Sequence, residues 1–242
     1  MRAIVLAGGL GTRLRQRVPE VPKAMAPVAG RPFLSYLLDR LIAGGVLEIV
    51  LALGYRADPI MAHFGSTYRN AALTYLVERE PLGTGGAVAH AVSSLGEEPV
   101  LVQNGDTFVD IAYDGLLKWY QQAPVDMAMV LAKVPDTSRY GAVLVERDRV
   151  RGFAEKGRAG DGYINAGVYV IRPAVIARFG LAGRFSLETD LLQRHCAALS
   201  PAAYFTAAFF IDIGVPEDYE RAQRELPASA ASPAATRLRP SA

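Results

Sequence analysis

The sequence is short of cysteine, with Cys196 alone among 242 residues. A single cysteine excludes an intrachain disulfide framework and a multi-cysteine metal site, and it is typical of a protein from a reducing compartment. Long apolar runs are also missing, since none approaches the ~18 residues that span a bilayer. The apolar residues 3–7 are too few for the core of a signal peptide and lead into glycines. These absences predict a cytoplasmic protein with no membrane partner.

An excess of charge and a supply of histidines are missing as well. The 26 Lys and Arg residues against 24 Asp and Glu residues leave a net charge of +2, which gives no indication of a nucleic-acid partner. His63, His90 and His195 form no site-like group in the sequence, and we interpret them as structural or surface residues. His195 precedes Cys196, but adjacent residues of a helix point apart, which argues against a cysteine–histidine hydrolase.

What the sequence has is a regular alternation of apolar strand-length runs and helical patterns over residues 1–125. Such alternation predicts a mostly parallel sheet with helices on both faces. Strand-like runs dominate residues 126–226, which predicts added, partly antiparallel strands that form a substrate lobe. The fold class expected is therefore α/β, a Rossmann-like three-layer α/β/α sandwich with a mostly parallel mixed central sheet. From Pro227 the composition turns to Ala, Ser and Pro, which predicts a disordered tail over residues 227–242.

A glycine-rich loop follows the first predicted strand, with the sequence Leu-Ala-Gly-Gly-Leu-Gly-Thr-Arg-Leu-Arg at residues 6–15. Backbone N–H groups approach a phosphate closely where no Cβ intervenes, so the loop suits a phosphate cradle. It is not a Walker A loop, because Thr12 and Arg13 follow Gly11 where that motif needs lysine. It is not a dinucleotide loop either, because Leu14 stands at the third glycine position. By itself, the loop is equally compatible with a tight turn carrying solvated arginines.

A second segment, Pro-Lys-Ala-Met-Ala-Pro-Val at residues 22–28, follows shortly after. Together the two segments resemble the signature of the sugar-1-phosphate nucleotidyltransferases, in which a Gly-Gly-x-Gly-Thr-Arg-Leu loop precedes a Pro-Lys-x-Met/Leu-x-Pro-Val segment. In that family the arginine and the lysine contact the triphosphate around its α-phosphate. The resemblance therefore implies catalytic roles for Arg13 and Lys23.

Further segments match this family in its order along the chain. Residues 80–87 resemble its nucleobase loop, and residues 139–141, 155–156 and 165–167 resemble its sugar-phosphate contacts. Asn104-Gly105-Asp106 and residues 210–214 resemble the two segments that each carry a metal-binding aspartate. The resemblance covers residues 1–224. It implies nucleotide binding by Leu6, Ala7, Gly8, Gly9, Gly11, Thr12, Glu80, Gly83 and Thr84, sugar-phosphate binding by Asn104, Gly141, Glu155, Lys156 and Asn165, and metal binding by Asp106 and Asp212.

The chemistry of these residues is consistent with the family. A strand that ends in Asp106 presents its carboxylate at the edge of a parallel sheet where ligands bind. Two carboxylates with phosphate oxygens suit Mg²⁺, although only the resemblance brings Asp212 to Asp106; the alternative is that Asp212 caps a helix. A sugar phosphate has its second pKa near ~6 and attacks without a general base.

The resemblance also narrows the substrates to a nucleoside triphosphate and a sugar 1-phosphate. Residues 104–110, 184–190 and 210–219 resemble guanylyltransferases that use GTP and a heptose 1-phosphate to make GDP-heptose for bacterial surface polysaccharides. Glu80 suits the N1–H and amino groups of guanine, but the same segment occurs in uridylyltransferases. Mannose 1-phosphate guanylyltransfer, N-acetylmuramate 1-phosphate uridylyltransfer and a non-catalytic regulatory homologue stay as alternatives. A glycosyltransferase would use Asp-x-Asp, which Asn104 breaks. The sequence leaves open whether the chain forms a homo-oligomer.

Overall fold

The computed structural model describes residues 1–9, 14, 21–54, 56–157 and 159–238. Apolar runs that alternate along the chain form the strands, and each central strand is buried on both faces. The strands are β1 (Arg2–Leu6), β2 (Pro27–Val28), β3 (Arg31–Pro32), β4 (Glu48–Leu53), β5 (Thr67–Tyr68), β6 (Ala71–Val77), β7 (Val100–Asn104), β8 (Thr107–Val109), β9 (Met127–Val134), β10 (Val143–Glu146), β11 (Arg149–Phe153), β12 (Gly162–Ile171), β13 (Ala202–Thr206) and β14 (Phe210–Asp212).

Helices connect most of these strands. A 3-10 turn at Lys23–Met25 and a π-helical turn at Leu187–Gln193 add to them. The α-helices are α1 (Phe33–Ala43), α2 (Ala57–Phe64), α3 (Gly83–Val92), α4 (Tyr113–Gln122), α5 (Ala174–Arg178), α6 (Cys196–Leu199) and α7 (Pro216–Ala231). None of the described helices is both long enough and apolar enough to cross a membrane.

The main sheet has ten strands among the described residues, in the order β10-β11-β13-β9-β12-β7-β1-β4-β6-β5. Strands β6, β4, β1 and β7 are parallel neighbours. Strand β12 lies antiparallel between β7 and β9, and β13 is parallel to β9. Six of the central strands therefore share one direction, and the expected mostly parallel mixed sheet is confirmed.

The core lies in two apolar layers, one on each face of the sheet. In β1, Ala3 and Val5 face the layer under α1, α2, α4 and α7, whereas Ile4 faces the layer under α3, α5 and the π-helical turn. This alternation follows from the period of two along a strand. It produces the three-layer α/β/α sandwich expected from the sequence.

The tail prediction is wrong for the part of it that is described, residues 227–238. Helix α7 continues past Pro227 to Ala231. Arg40 donates hydrogen bonds to three backbone carbonyls at the end of this helix. Farther on, Ala235 forms a parallel bridge with Ile111. Composition alone predicts disorder for this segment. It takes no account of the polar partners and apolar surface that the rest of the fold supplies.

Three local expectations also need correction. The apolar residues 207–213 predict one strand, but only Phe210–Asp212 forms a strand there, and β13 has already ended at Thr206. Helix α4 was not predicted, although its buried residues Tyr113, Leu116 and Tyr120 lie at helical spacing. Ser186 as a cap, with Glu188 and Asp190 in the first turn, predicts a helix from Ser186 to about residue 198, but the π-helical turn ends at Gln193 and α6 begins at Cys196. Its cap is as expected, because the Ser186 side chain accepts a hydrogen bond from the Thr189 N–H.

Candidate active site

A cleft of about 570 Å³ opens at the carboxyl edge of the parallel strands. This is the edge at which open α/β sheets bind their ligands. Nine of the residues expected in the site line it: Leu6, Ala7, Gly8, Gly9, Lys23, Gly83, Thr84, Asn104 and Asp106. Gly11, Thr12 and Arg13 lie outside the described residues.

The floor of the cleft requires glycine at two close approaches of backbone. A Cβ on Gly54 would lie 2.9 Å from the carbonyl oxygen of Gly8, and a Cβ on Gly105 would lie 2.7 Å from that of Leu6. The Gly105 N–H donates a hydrogen bond of 2.9 Å to the same Leu6 carbonyl. The loops that follow β1, β4 and β7 are thereby held together, and the turn after β7 aims Asp106 into the cleft.

Lys23 and the two expected metal ligands form one cluster. The 3-10 turn places Lys23 Nζ 2.6 Å from Asp106 Oδ2 and 3.4 Å from Asp212 Oδ1. Burial raises the pKa of Asp212, the charge of Asp106 raises it further, and Lys23 lowers it, with a net rise. Asp212 does not cap α7, because its carboxylate accepts from the Gly214 N–H while Val215 precedes the helix. The structure thus brings together two carboxylates and a cation from distant parts of the chain.

A short antiparallel pair, β8 with β14, sets the spacing of these carboxylates. We call this pair the ribbon; it is separate from the ten-stranded sheet. Asp106 immediately precedes β8, and Thr107 lies opposite Asp212 across the ribbon. The Ile213 N–H also donates a 3.0 Å hydrogen bond to the Asp106 carbonyl. The distance between the carboxylates therefore depends on the ribbon's pairing.

Thr84 takes part in a hydrogen-bond network that the sequence did not indicate. Its hydroxyl donates to Glu188 Oε2 at 2.6 Å and accepts from the Leu187 N–H at 2.9 Å. The Ser186 hydroxyl donates to the same Glu188 oxygen at 3.2 Å. Glu188 was expected only as an acidic residue in the first turn of a helix, and this tertiary contact has no sequence signal. The Thr84 hydroxyl therefore connects the first turn of α3 to the π-helical turn.

We expect Thr84→Val to destabilise the fold by about 1.5–3 kcal/mol, because a hydrogen bond to a charged group is worth about that much. For a chain of this size, each kcal/mol lowers Tm by roughly 2–4 °C. Thermal unfolding measures the change. Thr84→Ser is the matched control, since it keeps the hydroxyl that faces Glu188. Equal melting temperatures for the two variants would contradict the assignment.

The expected sugar-phosphate residues lie mostly outside the cleft lining. Asn165 donates to the Tyr169 hydroxyl at 2.7 Å and accepts from the Gly167 N–H at 2.9 Å. Burial and the nearby Glu188 raise the pKa of Tyr169, so its hydroxyl stays protonated. A Cβ on Gly167 would lie 2.9 Å from the amide nitrogen of Asn104. This packing connects Asn165 to Asn104, which does line the cleft.

Gly141 lies beside the backbone of residues 154–156, the segment that carries Glu155 and Lys156. Arg139, in the same expected segment, forms a 2.6 Å ion pair with the buried Asp218 of α7. Within the described part of the chain, the lining of the cleft does not include Glu80, Gly141, Glu155, Lys156, Asn165 or Asp212. The cleft and the sugar-side segments are therefore neighbouring surfaces that meet at Asn104.

Glu78 and Arg79 line the cleft instead of Glu80. The Glu78 carboxylate accepts a 3.0 Å hydrogen bond from the Leu82 N–H and thereby stabilises the loop. Arg79 is exposed within the cleft. Residues 78–80 are all charged and follow the end of β6. The alternation of side chains along a strand stops there, so the sequence does not show which of the three faces the cleft.

Comparisons with known proteins show what this chain is similar to. The family model described as "Nucleotidyl transferase" matches residues 2–229. The D-glycero-alpha-D-manno-heptose 1-phosphate guanylyltransferase of Aneurinibacillus thermoaerophilus is 38% identical over 226 residues, which cover 93% of this chain and 98% of the relative. A mannose-1-phosphate guanylyltransferase of Mycobacterium tuberculosis is 34% identical, over 93% of this chain and 64% of the relative.

Among solved structures, HddC from Yersinia pseudotuberculosis is similar to this chain with a TM-score of 0.83 and 34% identity. The similarity covers 93% of this chain and 99% of HddC. HddC has also been solved in complex with GMP-PN.

Proposed function

Because the chain belongs to the nucleotidyl transferase family, we propose that it joins GTP to D-glycero-α-D-manno-heptose 1-phosphate and releases pyrophosphate and GDP-heptose. The observation that carries the reaction is the cluster at the cleft, where Lys23 lies between Asp106 and Asp212. Attack of the sugar phosphate on the α-phosphate of GTP forms a phosphorus–oxygen bond as the bond to pyrophosphate breaks. The choice of sugar and base is supported by the 38% identity to a heptose 1-phosphate guanylyltransferase over nearly its whole length.

Lys23 supplies fixed positive charge beside the place where the α-phosphate is proposed to react. Only 13% of its side chain is exposed, so its charge is poorly screened by water. Pre-placed charge of this kind stabilises a transferring phosphoryl group without reorganisation during the reaction. The sugar phosphate, a dianion at neutral pH, attacks without a base. Arg13 is proposed to complement Lys23.

The carboxylate pair fits a divalent cation, and we propose Mg²⁺. Asp106 and Asp212 offer hard oxygen donors of the kind that Mg²⁺ prefers. The charge of Asp106 raises the pKa of Asp212, so the pair is stabilised by positive charge between its members. When bound, the ion supplies neutralisation of phosphate charge. Asp106 and Asp212 would hold it.

The far side of the cleft is proposed to bind the nucleobase. Glu78, Arg79, Pro81 and Gly83 line that side. The exposed guanidinium of Arg79 suits the O6 and N7 acceptors of guanine, a pairing that arginine makes often with this base. Glu155, Lys156 and Asn165 are proposed to face the sugar phosphate beyond Asn104.

Mannose 1-phosphate is the second candidate substrate, supported by the 34% identity to a mannose-1-phosphate guanylyltransferase. A regulatory homologue without activity is disfavoured, because Lys23, Asp106 and Asp212 are all present and in contact. A chain without activity would have no reacting phosphate whose charge these three residues could help to neutralise.

A substrate matrix tests the proposal. Five nucleoside triphosphates are crossed with heptose, mannose, glucose and N-acetylmuramate 1-phosphates, and pyrophosphate release is followed. We expect GTP with the heptose 1-phosphate to give the highest kcat/KM, by about tenfold or more over mannose 1-phosphate, as is common for one additional substrate group. Reactions without sugar phosphate control for hydrolysis. A higher kcat/KM with mannose 1-phosphate would transfer the assignment to that sugar, and no release in any pair would overturn the proposal.

A further inference from the structure

The ribbon carries both carboxylates, yet its strands are only three residues each. A pair this short has little stability of its own. At one end, Asp106 and Asp212 enter the cluster with Lys23. What holds the other end therefore influences the spacing of the carboxylates.

That other end is Asp110, the residue after β8. Its N–H donates a 2.9 Å hydrogen bond to the Phe209 carbonyl, which lies just before β14. Its side chain, only 8% exposed, forms a 2.6 Å ion pair with Arg40 of α1. One carboxylate oxygen also accepts a 2.7 Å hydrogen bond from the hydroxyl of Ser229 in α7. Two helices thus converge on the end of the ribbon that is remote from the cleft.

The chain after α7 adds a backbone connection at the same place. The Ala235 N–H donates a 2.9 Å hydrogen bond to the Asp110 carbonyl, and the Ala235 carbonyl accepts one of 3.0 Å from the Ala112 N–H. Arg40, besides pairing with Asp110, donates to the carbonyls of Ser229 and Ala230. The end of the ribbon is therefore held on its side-chain and backbone groups alike.

A buried ion pair such as Arg40–Asp110 is weak evidence for a role in stability alone. The cost of removing two charges from water can exceed their attraction, so that apolar replacements of similar volume are often as stable. An ion pair with an additional hydrogen-bond partner does restrict orientation, because three side chains must keep their relative positions to preserve both contacts. Here that arrangement involves Arg40, Asp110 and Ser229.

We propose that Asp110, Arg40 and Ser229 are positioning residues for the carboxylate pair. They fix the remote end of the ribbon, and the ribbon in turn holds Asp106 and Asp212 at the spacing needed for turnover. None of the three lines the cleft, so they act through the ribbon and contact no substrate. This assignment rests on the proposed function, because it concerns the same reaction.

Ser229→Ala tests the assignment with little risk to the fold, since alanine favours the helix. We expect kcat to fall about tenfold with both KM values within about twofold, because small displacements of reacting groups are costly. We also expect faster hydrogen exchange at the ribbon amides, Ile213 included, in protein without substrates. Ser229→Thr, which keeps a hydroxyl, should restore both values.

Ser232→Ala is the matched control. Its hydroxyl, at the same helix end, donates to the Ala228 carbonyl and not to Asp110. Wild-type kcat and wild-type ribbon exchange in Ser229→Ala would overturn the proposal. It would also be overturned if exchange increased evenly over the chain and kcat fell only with the folded fraction. An inactive wild type would refute the proposed function, and the exchange comparison would still decide the role of Ser229.

Discussion

Replacing Lys23 with alanine is expected to lower turnover by about 100-fold or more, because one pre-placed charge at a reacting centre typically contributes that much. Lys23 Nζ lies 2.6 Å from Asp106 and 3.4 Å from Asp212. Its removal leaves two carboxylates facing each other, and the pKa of Asp212, already raised, rises further. Pyrophosphate release at saturating substrates measures the loss.

Lys118→Ala is the control for this change. The Lys118 side chain is 74% exposed and pairs with Asp114 one helical turn away, an arrangement that contributes little. We expect it to retain wild-type turnover. Circular dichroism and thermal unfolding establish that both variants are folded. A folded Lys23→Ala protein with wild-type turnover would remove Lys23 from the reaction.

The second large effect concerns the carboxylates. Asp106→Asn and Asp212→Asn should each lower turnover by about 100-fold or more, because each removes a charge and a proposed cation ligand. The double variant should be only slightly worse, since residues that hold one ion act as a unit and their effects do not add. Turnover is measured against Mg²⁺ concentration for all three proteins, and the single variants should need more Mg²⁺.

Asp114→Asn is the matched control, an exposed aspartate on α4 whose partner is Lys118. Its Mg²⁺ midpoint should equal that of the wild type. Losses that multiply in the Asp106 and Asp212 double variant, with unaltered midpoints, would show that the two carboxylates act separately.

Much of the fold follows from local patterns in the sequence. The apolar run over residues 127–134 coincides with β9, and the helix predicted over residues 32–43 is α1, which begins one residue later at Phe33. Strand β9 is a nearly continuous buried run, as expected of a central strand, whereas α1 combines a helical period with a proline that restricts the backbone at its start. The prediction of a disordered tail was wrong because the order of this segment depends on contacts with Arg40 and Ile111, which lie far from it in sequence.

Site residues could be predicted from the sequence only in segments that match the motifs of a known family. Lys23 and Asp212 are 189 positions apart, and no spacing rule connects them; the resemblance supplied the expectation, and the structure brings the side chains together. Glu188 and Asp110 lie in segments that resemble guanylyltransferases, but the resemblance implied no role for either side chain. Their partners, Thr84 and Arg40, are identifiable only when the chain is folded, because a hydrogen bond across 104 positions has no local pattern.

The hydrogen bond from Ser229 to Asp110, at the remote end of the ribbon, has a consequence for folding during translation. Asp110 leaves the ribosome 119 residues before its partner Ser229, and Asp106 leaves before Asp212. A nascent chain can therefore form the four parallel strands and the glycine loops while the charged cluster is still incomplete. Contacts of such long sequence separation form late, because closing a long loop of chain costs entropy before the contact is gained. On the proposed function, synthesis therefore makes the strands proposed to bind the nucleotide before it makes Asp212, and the positioning contact from α7 is added after both.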